Sequence, residues 1–151
     1  EGGISTPFIM HWPAGLQTEA GRIRHEPAHL IDVMPTLLDL AQAAYPQQFH
    51  GGQDIPPLEG QSLAPLLKGS RFEPHQYLVW EHQSYQAVRK GPWKVVKKIE
   101  DPVWKLFDLE KDRTETQDLA AQHPEVVSDL AAYWEQWAKD KGVLPKKKND
   151  E

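Results

Sequence analysis

An α+β architecture, an antiparallel meander of about three to four strands with a helix packed on it, is the fold class this sequence predicts. Three observations predict it. Between Tyr77 and Leu109, the segments Tyr77 to His82 (YLVWEH), Tyr85 to Lys98 (YQAVRKGPWKVVKK) and Val103 to Leu109 (VWKLFDL) are rich in aromatic and β-branched residues and alternate in polarity, as half-buried strands do. Gly91-Pro92 interrupts the middle segment with the residues of a tight II′ turn, glycine for the positive φ and proline for the fixed φ that follows, so Lys90 and Trp93 should face each other across a hairpin. Further on, Val127, Leu130, Trp134 and Trp137 fall on one stripe of a helix running from Pro124 to Lys141.

Along the meander, Leu78 and Trp80 should point one way with His82, Trp93 and Val95 should share a face, and Trp104 and Leu106 another. The apolar face needs a cover, and the last helix offers one. Its ends are marked: Pro124 suits the first helical position, Glu125 the positive end of the dipole, Lys139 and Lys141 the negative end, and Gly142 followed by Pro145 stops it. Trp80, Trp93, Trp134 and Trp137 all fall on apolar faces and read as core rather than as a ligand platform. Arg89 and Lys94 read as solvated charges flanking the sheet.

Before the meander, the run Pro7 to Trp12, bounded by glycines and Pro-Ala-Gly, suits a strand covered on both faces. Such a strand needs neighbours, and no other fully buried strand is offered. Because the chain also opens at Glu1 inside a patterned segment, a longer parent is expected. Thr18 to Pro27 reads as a connection. Leu30, Val33, Leu37, Leu40 and Ala44 then follow a helical stripe, with Asp32 as its N-cap and Pro35 tolerated in the first turn. Pro46 to Pro57 is a loop by composition. Ser62 to Gly69 reads as a short helix capped by Ser62 and closed by Gly69, and Thr114-Glu115-Thr116-Gln117 matches a capping box that would start another.

Composition excludes several classes. The 151 residues carry a net charge of −5, and the one dense basic run, Lys146-Lys147-Lys148, sits beside Asn149, Asp150 and Glu151, so no nucleic-acid surface is expected. No apolar run approaches the roughly 18 residues of a membrane span. Without cysteine there is no disulfide, zinc-thiolate site or cysteine nucleophile. His25-Glu26-Pro27-Ala28-His29 spells the HExxH zinc pattern, but that chemistry needs two imidazoles one helical turn apart, and Pro27 between them with Gly21 upstream opposes a helix. Asp108, Glu110 and Asp112 open like a calcium loop, yet Arg113 and Leu119 stand where the turn glycine and the closing glutamate are needed. No GxSxG elbow, phosphate loop or dinucleotide fingerprint is present. His82, with Glu81 and Gln83, ends a strand where polar side chains can line a cleft.

Several strings, in order, resemble the C-terminal portion of a type I sulfatase of the arylsulfatase family. They are Glu1-Gly2-Gly3-Ile4 through Pro7-Phe8-Ile9 to Trp12-Pro13; Ile31-Asp32-Val33-Met34-Pro35-Thr36-Leu37-Leu38; and Glu59-Gly60-Gln61-Ser62-Leu63 through Pro65-Leu66-Leu67 and Gly69. Trp80-Glu81-His82, Ala87-Val88-Arg89 through Trp93-Lys94, and Leu106-Phe107-Asp108-Leu109 through Asp112 and Glu115 complete the set. The resemblance implies an alkaline-phosphatase-like α/β parent that hydrolyses sulfate esters with a formylglycine and a calcium ion. This chain would supply the tail of the large domain (1–76), an antiparallel sheet and helix subdomain (77–145) and a disordered tail (146–151).

The sequence departs from that family at the chemistry. Formylglycine is made within a C/S-x-P-x-R motif, and the one S-x-P string, Ser5-Thr6-Pro7, is followed by Ile9 where arginine is required. The paired metal-binding aspartates have no match, so no catalytic residue, metal or cofactor is assigned to this chain. Its expected partners are the N-terminal catalytic portion and, for the parent, a sulfated small molecule or glycan, with His82, Glu81 and Gln83 as substrate-rim residues. Two rival readings remain at this point: a free-standing binding or scaffold module, which expects the Pro7 to Trp12 strand to be capped within the chain, and a zinc hydrolase at His25 and His29. The severed-part reading expects that strand to be unsatisfied.

Overall fold

The structure, a computed structural model, describes residues 1–16, 21–83, 85–98 and 100–143. Thr18, Pro145 and the lysine run at 146–148 lie outside the described residues. The chain forms two compact units, one of Glu1–Pro7 with the chain from Gln76 onward, the other of Phe8–His75.

The first unit is the predicted meander. Strands β1 (Leu78–His82), β2 (Tyr85–Lys90), β3 (Trp93–Lys98) and β4 (Lys105–Asp108) lie in the order β1-β2-β3-β4, all neighbours antiparallel. Gly91 takes φ +57 and Lys90 pairs with Trp93, so the Gly-Pro turn sets the register that its chemistry demands. That register aligns Val79, Val88, Val95 and Leu106 across the sheet. Helix α3 (Pro124–Asp140) covers this face, burying Leu130, Trp134 and Ala138 against Val88, Val95 and Leu106, with Val127 and Trp137 at the margin. The Trp134 indole N–H donates to the Trp80 carbonyl at 3.3 Å, which satisfies the one polar atom the ring brings inside. Gly142, at φ +67, follows the end of α3 as expected.

The opposite face of the sheet is also buried, and here Lys94 corrects the sequence reading. Its side chain is not a solvated flank: the residue is 2% exposed, as buried as Leu78, Ala87, Phe107 and Leu109. An ammonium stays inside only if it is paired. Lys94 Nζ lies 2.7 Å from Glu115 Oε1 and 3.6 Å from Glu1 Oε2, with the Trp80 ring 5.9 Å away. Arg113, donating to Ser5 Oγ at 3.2 Å, gives the Glu1–Pro7 stretch a second tie to this unit.

Thr114 to Gln117 do not start a helix. Asp112 captures the segment first, its carboxylate accepting from the Thr116 and Gln117 amides at 2.7 and 2.8 Å and from the Thr114 and Thr116 hydroxyls. A side chain that satisfies successive amides from outside offers the backbone a turn instead of a helix. Glu115 takes φ +57 in that turn.

In the second unit, the helix expected after Asp32 is α1 (Val33–Ala41), preceded by a 3₁₀ turn Leu30–Asp32 and ending at Gln42 in the left-handed region rather than at about Ala44. Asp32 stands at the N-cap position of α1 as expected but makes no side-chain cap bond there; the capping box is one turn earlier, where the His29 ring accepts from the Ile31 amide and the Asp32 carboxylate accepts from the His29 amide at 2.7 Å. Burial, with the charge of His75 adding to it, holds the His29 imidazole below its ordinary value, so the ring keeps the lone pair that capping needs. Asp32 is wholly buried and also accepts from the Gln61 amide at 2.8 Å and from His75 Nε2 at 2.7 Å. One turn on, the Thr36 hydroxyl donates to the Asp32 carbonyl and accepts from the Leu63 amide at 2.8 Å. The residues of the predicted apolar stripe do not form a core; Leu30 is 84% exposed and Leu37 is exposed as well. Helix α2 (Ala64–Leu67) starts after Ser62, whose hydroxyl accepts from the Ala64 amide and donates to Asp39, and ends at Gly69 with φ +69. Gln48 and Asp54 bridge the Pro46 to Pro57 loop.

Pro7 to Trp12 is not a strand. With no partner strand for its amides and carbonyls among the described residues, it runs as irregular chain, Phe8 and Ile9 exposed.

Three measurements test this account. Trp134→Ala should lower the urea stability of the sheet and helix by about 3 to 5 kcal/mol; an unchanged midpoint would remove α3 from the core. Gly60 lies so close to Ile31 that an added Cβ would sit 2.0 Å from the Ile31 carbonyl oxygen, and backbone cannot yield cheaply. Gly60→Ala should therefore abolish hydrogen-exchange protection of the Gln61 and Leu63 amides, and retained protection would show that the Asp32 and Thr36 bonds survive the clash. Burial pushes the Glu115 carboxyl up, and the hydrogen bonds and charges of Lys94 and of the amino group at Glu1 together more than offset that, leaving it below the ordinary 4.5. A carboxyl depressed in the folded state stabilises above its unfolded value, and that stability is lost as pH falls through the folded value. Stability should thus hold from neutral pH down to about 4.5 and decline below it, less steeply in Glu115→Gln; identical pH profiles would acquit the pair.

Candidate functional site

The rim residues expected from the sequence stand at the end of β1. Glu81 and His82 are its last two residues, Gln83 follows in the turn to β2 with φ +55, and all three side chains are exposed. Strand alternation sends Glu81 and His82 to opposite faces. Glu81 pairs with Gln86, and Gln86 with Lys97, on the face that α3 covers. Gln86 is buried there with its Oε1 unpartnered, while Lys97 lies over the Trp104 ring at 5.1 Å. His82 pairs with Tyr85, and Tyr85 with Lys98, on the other face. The register thus adds two residues that the sequence reading missed.

Tyr85 is 55% exposed and the Lys98 side chain 46%. Lys98 Nζ lies 3.1 Å from Glu100 Oε2, and the hydrogen bond and charge of that carboxylate, with the Tyr85 phenol behind, hold the ammonium above its ordinary value. It is fully charged at neutral pH. Behind the row His82, Tyr85, Lys98, the same face continues through Trp80, Ala87 and Val96, an apolar floor. A signal for the two missed residues was present: once Gly91-Pro92 fixes Lys90 opposite Trp93, counting outward along both strands brings Tyr85 opposite Lys98.

The other candidates disperse. Arg24 pairs with Glu26 in extended chain, His29 caps the 3₁₀ turn, and no helix brings the His25 and His29 rings to one face. Asp108 is held by Lys111 at 2.9 Å and Asp112 by the turn it organises. Arg89 donates to the Gly91 carbonyl within its own hairpin. Among the described residues, no three His, Cys, Asp or Glu side chains are grouped to hold a metal ion, so the residues described do not fit the calcium of a sulfatase. Nor does formylglycine: there is no cysteine to convert, and Ile9 stands in place of the arginine after Ser5-Thr6-Pro7. Among the described residues no helix is long and apolar enough to cross a membrane.

A four-stranded antiparallel meander under one long C-terminal helix, aligned to the C-terminal part of solved alkaline-phosphatase-like sulfatases, defines the class: the C-terminal region of a sulfatase. More specifically, the chain belongs to the family described as N-sulphoglucosamine sulphohydrolase, C-terminal, which matches residues 1–140. An uncharacterized sulfatase of Schizosaccharomyces pombe is 29% identical over 154 residues, covering 95% of this chain and 26% of the relative. The N-acetylgalactosamine-6-O-sulfatase of Bacteroides thetaiotaomicron is 28% identical over 146 residues, covering 87% of this chain and 27% of the relative. The crystal structure of Ps i-CgsB in complex with k-i-k-neocarrahexaose aligns with a TM-score of 0.65 at 27% identity, over 85% of this chain and 27% of that one. This chain therefore spans about a quarter of the length of these relatives.

Proposed function

We propose that this chain is the non-catalytic C-terminal part of a sulfate-ester hydrolase, that the formylglycine and calcium belong to an N-terminal catalytic portion, and that Glu81, His82 and Gln83 contribute to the rim of the substrate site. The observation that carries the reading is the family match along residues 1–140 joined to coverage of only about a quarter of the relatives. The second unit supports it independently. Ile9 and Leu30 are 86% and 84% exposed, and Phe8, Ile23, Met34 and Leu37 are exposed beside them in sequence or along α1. Apolar side chains in that number are left in water at a cost of roughly 1.5 to 3 kcal/mol each relative to burial. The missing catalytic portion is the partner that would cover them. A free-standing module is expected to cap the Pro7 to Trp12 segment within itself, and among the described residues no strand pairs with it.

When bound in the parent, calcium and the hydrated aldehyde supply charge stabilisation and the nucleophile. The residues here hold the sheet, the entry of the chain at Glu1 and the polar strand ends in place. Sulfated sugars are the substrate class we favour, since two relatives carry a sugar in their names or complexes. The purified 151-residue chain should leave 4-methylumbelliferyl sulfate unhydrolysed with or without calcium, and the coding sequence upstream of Glu1 should encode a C/S-x-P-x-R motif with acidic metal ligands. Calcium-dependent turnover by the chain alone would overturn the division of labour. An upstream sequence without that motif would overturn the parent enzyme.

A further inference from the structure

Tyr77 immediately precedes β1 and Tyr133 lies in the middle of α3, and their two phenol rings are stacked, with centroids 3.7 Å apart and planes 8° from parallel. Aromatic pairs left to themselves avoid that arrangement. Each ring face carries partial negative charge, so offset or tilted pairs with centroids about 4.5 to 7 Å apart are preferred. Trp104 with Trp134 and Trp134 with Trp137 obey this, tilted and 6.3 and 6.4 Å apart. The tyrosine stack needs something to offset its repulsion.

Positive charge supplies the offset. Lys90, the last residue of β2, sets its ammonium over the Tyr77 ring at 4.8 Å from the centroid, where a cation is attracted to the ring's electron-rich face. A hydrogen bond to Tyr77 and the charge of that phenol, with Asp129 one turn before Tyr133 adding to them, hold the ammonium above its ordinary value. Burial, with Tyr77 beside it, pushes the Tyr133 phenol up, so that ring is neutral at neutral pH. Tyr133 is 36% exposed and Tyr77 is half-buried against the core, so the stack is held from beneath and reached from outside. The chain has no cysteine, hence no disulfide to fasten α3 to the sheet.

We propose that Tyr77 and Tyr133 are a site of oxidative cross-linking, joined by a carbon–carbon bond between ring carbons ortho to the two hydroxyls, which fastens α3 covalently to the sheet. A one-electron oxidant of the haem peroxidase class, driven by hydrogen peroxide, takes one electron from each phenol, and each phenol releases its hydroxyl proton to water. The two ring radicals pair their electrons in the new bond. The hydrogen on each bonded carbon then leaves as a proton while the oxygen regains one, which restores both phenols. Two electrons and two protons leave the pair in all, and peroxide carries them away as two waters. Rings already in contact need no encounter step, so coupling within the chain outruns coupling between chains. A bond between positions so far apart in sequence restricts the unfolded chain and stabilises the folded one, as any covalent closure of a long loop does. This goes beyond the sulfatase reading and stands or falls without it.

The test is to treat the dilute 151-residue chain with a haem peroxidase and hydrogen peroxide, isolate the monomer and map its peptides by mass spectrometry. A product two hydrogen atoms lighter, with the blue fluorescence of linked tyrosines, is expected, and the peptide carrying Tyr77 should be joined to the one carrying Tyr133. The remaining tyrosines, Tyr45 and Tyr85, serve as internal controls. Tyr133→Phe keeps the ring and the fold but should abolish the link and the fluorescence of the monomer, whereas Tyr85→Phe, at a more exposed ring, should leave both. The linked chain should also unfold at a higher urea midpoint than the untreated one. Monomer fluorescence that persists in Tyr133→Phe, a link through Tyr45 or Tyr85, or products joined only between chains would overturn the site. A Tyr77 to Tyr133 link with an unchanged midpoint would overturn its role as a fastening.

Discussion

A charge removed from water must be paired, and that constraint determines how each unit of this chain, taken by itself, is held together. A carboxylate or ammonium buried without partners costs several kcal/mol even after relaxation, more than a single helix cap or turn can return. In one unit the charge is Asp32, entirely inaccessible, accepting from the His29 and Gln61 amides and from His75. In the other it is Lys94, 2% exposed, set against Glu115 and Glu1. Each recruits partners from remote parts of the sequence, so each fixes a tertiary arrangement that local propensity leaves free.

The two hubs achieve this differently. Asp32 satisfies donors from three segments with one side chain, and Gly60 must be glycine because the donor at Gln61 can be reached only when the backbone touches Ile31. Thr36 repeats the scheme one turn later, linking the Asp32 carbonyl to the Leu63 amide. This unit is held by polar geometry, with much of its apolar surface left exposed. The sheet unit has a true core under α3, and Lys94 works on the reverse face, where Glu115 reaches it only because the Asp112 turn holds Glu115 at positive φ.

Legibility in the sequence follows the same division. The strands, the Gly91-Pro92 hairpin and the α3 stripe were readable because their causes are local: alternation, a turn that admits few residues, and a 3.6-residue period. Lys94 was misread because a lysine between Trp93 and Val95 looks like the solvated member of an alternating pair, and nothing near it announces Glu1 and Glu115. Asp32 was identified as a cap from its position before Pro35, whereas its true partners include Gln61 and His75, far along the chain. Thr114 to Gln117 satisfied the helix-start pattern, but the competing acceptor, Asp112, lay just upstream and reached the amides first. Pro7 to Trp12 has the composition of a buried strand without a strand beside it, and composition cannot supply hydrogen-bond partners.

The candidate site lies between these extremes. His82 was visible as a polar residue ending an apolar strand, but a strand end is one point and recognition needs several. Its neighbours in space are set by two registers, and only the second, between β2 and β3, is written in a turn of low ambiguity. The first runs through the β1 to β2 connection, where no Gly-Pro or Asn-Gly pair fixes the loop, so the opposition of His82 and Tyr85 depends instead on which faces of Val79 and Val88 are buried. A slip of one residue would turn Val88 away from α3 and move Tyr85 out of the row. The packing of the helix-covered core therefore enforces the spacing of the polar groups on the other side of the sheet, and substitutions beneath α3 act on the row without touching it.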